Sequence, residues 1–292
     1  MRKQNYLNNK DMLKEIHKSK LSYCYVLDEE FNRFDTIVED IEDIKNPEFI
    51  QTAKENRAKE LSILAYESAY WEWYDNTSRK QSQKPKQVNY KIDPSTIEEK
   101  SLVFRLMTFD HVPLEPGRKN KPKTVADHHS KCNFPPFKHY AYVNGELKEC
   151  LRSHWEGGLD NGKFNTQHGK ITNNLAKMYI KLCERYSMRS NWRGYTYVDE
   201  MRSHALLQLS QIGLQFNELK SENPFAYYTA AVTNSFTRVL NLEKRNQNIR
   251  DDLLQEAGQM PSWTRQIEHE MAERAKWDEK ADKERKEHGY NV

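Results

Sequence analysis

Glycine and proline are scarce in this chain, ten of each among 292 residues, so little in it forbids long helices. Cysteine is scarcer still. The four (Cys24, Cys132, Cys150, Cys183) stand apart and form no C-x-x-C pair. That argues against a disulfide framework and makes a reducing cytosol the expected compartment. No apolar run approaches the roughly 18 residues a membrane-spanning helix needs. The opening stretch "MRKQNYLNNK" also has no apolar signal-peptide segment, so a soluble, intracellular protein with no membrane partner is expected. Charge of one sign is missing too. With 46 basic and 43 acidic residues the formal net charge is +3, so any nucleic-acid surface must be local rather than global. Apolar residues make up only 37% of the chain against 30% charged, which leaves a small core and much solvated surface.

What is present is mostly helical patterning. "NKDMLKEIHKS" reads as a short helix over 9–19. Asn46 followed by Pro47 is a helix start, and Phe49, Ala53, Leu61, Leu64, Ala65, Ala69 and Trp73 recur near helical spacing, so a long helix is expected over 47–74. Residues 76–87 are polar and aperiodic and read as a loop. "LVFRLMTF" reads equally as a buried strand or a short helix. "HYAYVNGELKEC" places Asn-Gly between two β-prone runs, the strongest short-range hairpin signal. From about 168 the pattern is helical to the end. Ile171, Leu175, Met178, Leu182 and Tyr186 form one stripe, and Met201, Ala205, Leu209, Ile212 and Phe216 another. A third helix starts at Asn223-Pro224. Between Arg265 and Glu287 lie seven basic and eight acidic residues. Several are paired i,i+4 with the acid first, as a solvated helix would have them.

The third helix has two faces. Phe225, Tyr228, Val232, Phe236 and Val239 are its expected core side. Tyr227, Ala231, Asn234, Arg238, Asn241 and Arg245 follow each other at spacings of four and three and form a second stripe, with Lys244 beside it. Guanidinium groups neutralise phosphates and amides bond base edges, while a tyrosine stacks on an unpaired base. A solvated amphipathic helix would carry the same arginines without binding anything.

"GYTYVDEM" and "NPFAYYTAAVTNSFTRVLNLEKR" together resemble the late-transcription sigma factors of T-even-type bacteriophages. The likeness rests on Gly194-Tyr195-Thr196, Glu200-Met201, the Phe-Asn-Glu segment at Phe216 and the Asn-Pro helix start, and covers about 168–250. "NYLNNKDMLKEI" resembles the start of those proteins more loosely. The resemblance implies a mainly α fold: a sigma region-2-like core made of 1–20 and 166–250, interrupted by a mixed insertion at 21–165 that contains a small β-hairpin, and followed by a charged helical tail at 251–292. It implies a phage-encoded late sigma factor, a non-catalytic subunit without cofactor or metal, acting in the cytoplasm of an infected bacterium. Its partners would be the host core RNA polymerase, through the coiled coil of the largest subunit, and promoter DNA, including the single strand of an AT-rich −10-type element. Such proteins also work with a phage coactivator and a sliding clamp. By position Glu200, Ser203 and His204 would face polymerase, with His204 departing from the acidic and amide residues usual there. Tyr227, Asn234, Arg238, Asn241, Lys244 and Arg245 would face DNA. Ala230 and Ala231 stand where housekeeping sigma factors carry a tryptophan pair, which suggests weaker unaided melting. No second helix-turn-helix is expected after 250, and the closing "KERKEHGYNV" lacks the acidic-apolar pattern of a clamp-binding tail.

The insertion holds one further candidate. From Arg118 to Lys138 there are six basic residues (Arg118, Lys119, Lys121, Lys123, Lys131, Lys138) and one acid, with Phe134, Phe137, His139 and Tyr140 interleaved or adjacent. Basic plus aromatic suggests contact with DNA or polymerase, and an exposed basic loop is the plain alternative. His128, His129, Cys132, His139 and His154 are candidate zinc ligands without zinc-finger spacing. Asp127-His128-His129 raises a metal-dependent nuclease or phosphoesterase, although the βαβ pattern such an enzyme needs is missing. A DNA-binding protein that never meets polymerase is the third reading.

Overall fold

The computed structural model describes residues 7–76, 81–115 and 128–287. The chain is mainly helical with a small sheet. In order it runs α1 (Asn9–Leu21), β1 (Cys24–Val26), β2 (Thr36–Val38), α2 (Pro47–Asp75), β3 (Val103–Met107), β4 (Phe137–Val143), β5 (Glu146–Ser153), β6 (Trp155–Glu156) and β7 (Lys163–Phe164). It then runs α3 (Asn173–Ser187), α4 (Val198–Ile212), α5 (Pro224–Glu256) and α6 (Trp263–Glu287). No described helix is long and apolar enough to cross a membrane.

Helices α1, α3, α4 and α5 form one bundle. Three of them, α1, α3 and α5, start where a side chain accepts from one of the first free N–H groups. Asn8 accepts from Asp11 N at 2.7 Å, Thr172 from Leu175 N at 3.2 Å, and Asn223 from Ala226 N at 3.1 Å, with Pro224 in the first turn. Asn9 of α1 also accepts from Phe225 N, tying α1 to the start of α5. The expected stripes meet inside: Met12 and Ile16, Leu175, Met178 and Leu182, Met201, Ala205 and Leu209, then Tyr228, Val232 and Phe236, are all buried in one cluster. The stripes therefore pack as expected, although Phe216 joins the core from beyond the end of α4. Helix α5 runs on to Glu256, past the boundary at 250. At its end Asp251 accepts from Ser262 N and Oγ at 2.8 and 2.7 Å, and Arg265 reaches Asp252 at 2.8 Å, which fixes the corner into α6.

The expected hairpin is β4–β5. Its turn residues Asn144 and Gly145 have φ of +56° and +84°, the left-handed pair that a tight hairpin turn requires. It is the centre of a larger structure, a five-stranded sheet in the order β1-β5-β4-β3-β2, antiparallel except for the parallel pair β2–β3. "LVFRLMTF" contains strand β3. One sheet face packs on α2 through Phe104, Leu106, Val38, Ala53 and Ala58. Phe137 and Leu151 instead join the cluster of the helical bundle. The described residues of 21–165 are thus a layer continuous with the bundle, with the sheet lying between α2 and the bundle helices.

Candidate nucleic-acid interface

Helices α4 and α5 lie against each other, and two adjacent tyrosines set their register. The last carbonyls of a helix have no partner within it. Here Tyr227 Oη donates to the Ile212 carbonyl at 3.2 Å and Tyr228 Oη to the Gly213 carbonyl at 2.8 Å, so the first turn of α5 caps the end of α4. Tyr179 of α3 donates to Tyr228 Oη at 3.2 Å, and a Cβ at Gly213 would run into the Tyr179 hydroxyl. Burial pushes the Tyr228 hydroxyl well above its ordinary pKa, so it stays a neutral donor.

Between the two helices lies a groove of about 810 Å³. From α4 it takes His204, Gln208 and Gln211, and from α5 Asn234, Arg238, Asn241 and Arg245. Leu207 and Leu242, both more than half exposed, stand at its rims. None of its lining residues is acidic. Arg238 and Arg245 are seven residues apart, about 10.5 Å along the helix. Two cations for phosphates and four amides for base edges on one concave, half-apolar surface suit a nucleic-acid strand.

The structure brings part of the expected stripe onto one surface and sets its head apart. Asn234, Arg238, Asn241 and Arg245 are exposed and share the groove. Ala231 is buried at 8% exposure, and Tyr227 is half-buried, edge-on to Phe216 and Tyr228 and committed to the Ile212 carbonyl. Seven residues leave a helix only about 20° from where it started, so Tyr227 and Asn234 share a face; Tyr227 is covered because Phe216 of the α4–α5 connection packs on the first turn of α5. Lys244 is exposed and does not line the groove. The expected polymerase face divides. His204 lines the groove. Glu200 lines a separate cavity of about 490 Å³ with Asp199, Glu243 and Arg250. Ser203 is exposed and its hydroxyl donates to the Asp199 carbonyl at 2.9 Å. Gln208 and Gln211 escaped the sequence reading, though they follow His204 at spacings of four and three on α4.

In the basic stretch, Arg118, Lys119, Lys121, Lys123 and Asp127 lie outside the described residues. Lys131 is exposed, whereas Lys138 is half-buried on the sheet and pairs with Glu149 at 3.6 Å, so its charge is already engaged. The candidate metal ligands are scattered. His129 Nδ1 donates to the Val112 carbonyl at 3.0 Å, and His139 is buried in another network. No group of three or more His, Cys, Asp or Glu side chains could hold a metal ion among the described residues.

That other network was not legible in the sequence. Lys20 of α1, Arg105 of β3 and Glu218 of the α4–α5 connection are buried together. Lys20 Nζ donates to both Glu218 oxygens at 2.7 Å and to the Phe216 carbonyl at 2.8 Å. The Arg105 guanidinium lies between the rings of Phe34 and Phe137, at 3.8 and 3.9 Å from their centroids. His139 Nδ1 donates to the Phe31 carbonyl at 2.8 Å, so its Nε2 carries no proton and accepts from Arg105 Nε at 2.9 Å. Burial, then the Arg105 charge, holds the His139 pKa well below its ordinary value. Burial lowers Lys20 to about 8 against the pull of Glu218. Burial alone would raise the Glu218 carboxyl, but Lys20 and Arg105 outweigh it and hold the pKa down. The network joins the sheet to the segment that leads into α5.

No family model, no curated protein and no solved structure matches this chain.

Proposed function

We propose that this protein is a promoter-recognition subunit of a bacterial RNA polymerase, a phage-type late sigma factor that does no chemistry of its own. Its α4–α5 groove takes the single strand of an opened, AT-rich promoter element. The observation that carries this reading is the groove itself, with two arginines, four amides and no carboxylate between two packed helices. The resemblance at Gly194–Met201 and Asn223–Arg245 supplies the polymerase. Glu200 and Ser203, exposed on α4, are its proposed contacts, with the acidic cavity around Glu200 as the surface for a basic partner. Asn234, Arg238, Asn241 and Arg245 hold the strand. Tyr227 ties the start of α5 to the Ile212 carbonyl at the end of α4, and its half-buried ring is the proposed contact for the first unpaired base.

The test uses the full chain, bacterial core RNA polymerase and a pool of AT-rich duplexes carrying a pre-melted bubble. Heparin-resistant complexes and run-off transcripts that need both proteins are expected. Absence of both overturns the proposal. DNA retention by the chain alone, with no effect of polymerase, replaces it with the polymerase-independent DNA-binding reading.

A further inference from the structure

The α4–α5 groove does not end with α4. Gln211 and Ile212, which line it, also line a second cavity of about 490 Å³. Its lining also takes in Lys131, Cys132 and Asn133, in the connection between β3 and β4. It also contains the hydroxyl of Ser210, the amide of Gln215 and the ring of Tyr23. The formal charges along both cavities are Arg245, Arg238 and Lys131, and neither lining contains an acid. The Lys131 end is held in place. Phe134, three residues on, is 1% exposed in the bundle core and meets Tyr23 at 5.7 Å and Phe137 at 5.8 Å between centroids. The Asn133 amide donates to the Thr166 carbonyl.

We infer that the two cavities form one continuous track for single-stranded DNA, running from Arg245 and Arg238 over Gln211 and Ile212 to Lys131, so that the sheet-bearing layer takes part in holding the strand. This rests on the nucleic-acid reading of the α4–α5 groove and extends it to a surface that the helical core alone does not provide. Charge complementarity selects the occupant: a polyanion meets a cation at both ends of the track and amides and hydroxyls between them.

The test is fluorescence anisotropy of a labelled AT-rich single-stranded 20-mer with the full chain across a salt series, comparing wild type with Arg238→Ala, Lys131→Ala and Lys148→Ala. Lys148 is the control, half exposed on β5 and paired with Glu146 at 3.1 Å. Each single-strand phosphate contact contributes about 0.7 to the slope of log affinity against log salt. Arg238→Ala and Lys131→Ala are each expected to weaken binding severalfold and to lower that slope by about 0.7, with Lys148→Ala unchanged. If Arg238→Ala has this effect and Lys131→Ala behaves like the control, the track stops at α4 and the inference falls while the groove reading stands. If Arg238→Ala also behaves like the control, or the strand is not bound, the groove reading falls and the inference with it.

Discussion

Glu218 shows how much rests on one side chain. It is the only carboxylate within reach of two buried cations, Lys20 at 2.7 Å and Arg105 at 3.9 Å, among the described residues. A buried charge that loses its partner costs about 3–5 kcal/mol, so Glu218→Gln should lower unfolding stability by that order in a urea titration. A change below about 1 kcal/mol, the value of an exposed pair, would show that the network is solvated. Gly213 is needed for space, since the Tyr179 hydroxyl occupies the position of a Cβ. Gly213→Ala should cost about 1–3 kcal/mol through overpacking, read in the same titration. Tyr227 can be divided between its two jobs. Tyr227→Phe removes the hydrogen bond to Ile212 and keeps the ring, whereas Tyr227→Ala removes both. If the ring stacks on a base, promoter opening should survive the first change and fall about 5–150-fold with the second, as loss of about 1–3 kcal/mol of stacking implies. Equal losses would leave Tyr227 with a purely structural role.

At the scale of elements, the helices were the readable part. Apolar stripes at 3.6-residue spacing and Asn-Pro starts placed α2 and α5 at the residues where they begin. The Asn-Gly turn placed the β4–β5 hairpin. Strands β1 and β2 are three residues each, too short for alternation to register, and their partners lie far along the chain, so the sheet's breadth was invisible. Lys20 and Arg105 drew no expectation because nothing in a sequence marks a cation whose acid, Glu218, lies more than a hundred positions away. The groove was half legible: α5's arginines marked its polar stripe, whereas the α4 side carries His204 and two glutamines with no arginine or lysine to mark them. The covering of Tyr227 was not legible because it comes from Phe216 of the α4–α5 connection rather than from helical spacing. The corner between α5 and α6 makes its own prediction. Asp251→Ala should remove both bonds to Ser262 and speed amide hydrogen exchange at the start of α6 while leaving the bundle unchanged. Equal protection in both proteins would show that the corner does not depend on Asp251.

For the whole molecule, the bundle and the sheet share one apolar cluster and one ionic network, so unfolding should be a single cooperative step. Acid should trigger it. His154 is fully buried, and neither ring nitrogen has a hydrogen-bond partner among the described residues. Burial, with smaller contributions from His111, His168 and Lys20, lowers it to about 3, and His139 is likewise held well below its ordinary value by burial and Arg105. Unfolded histidine titrates near 6.5. From about 6.5 down to about 3 the unfolded chain therefore binds more protons than the folded one, and stability must fall with pH across that window. A flat Tm between pH 7 and 5 would show that these rings stay neutral in neither state or are solvated in both. The central claim, that the α4–α5 groove holds opened DNA, is tested most directly by one affinity measurement. The complex of core RNA polymerase with the full chain is titrated onto an AT-rich bubble duplex, wild type against Arg238→Ala/Arg245→Ala. Both side chains are exposed, so folding should be preserved. The account predicts binding at least about tenfold weaker and a salt slope reduced by about 1.4, two single-strand contacts; equal affinity and equal slope would contradict it.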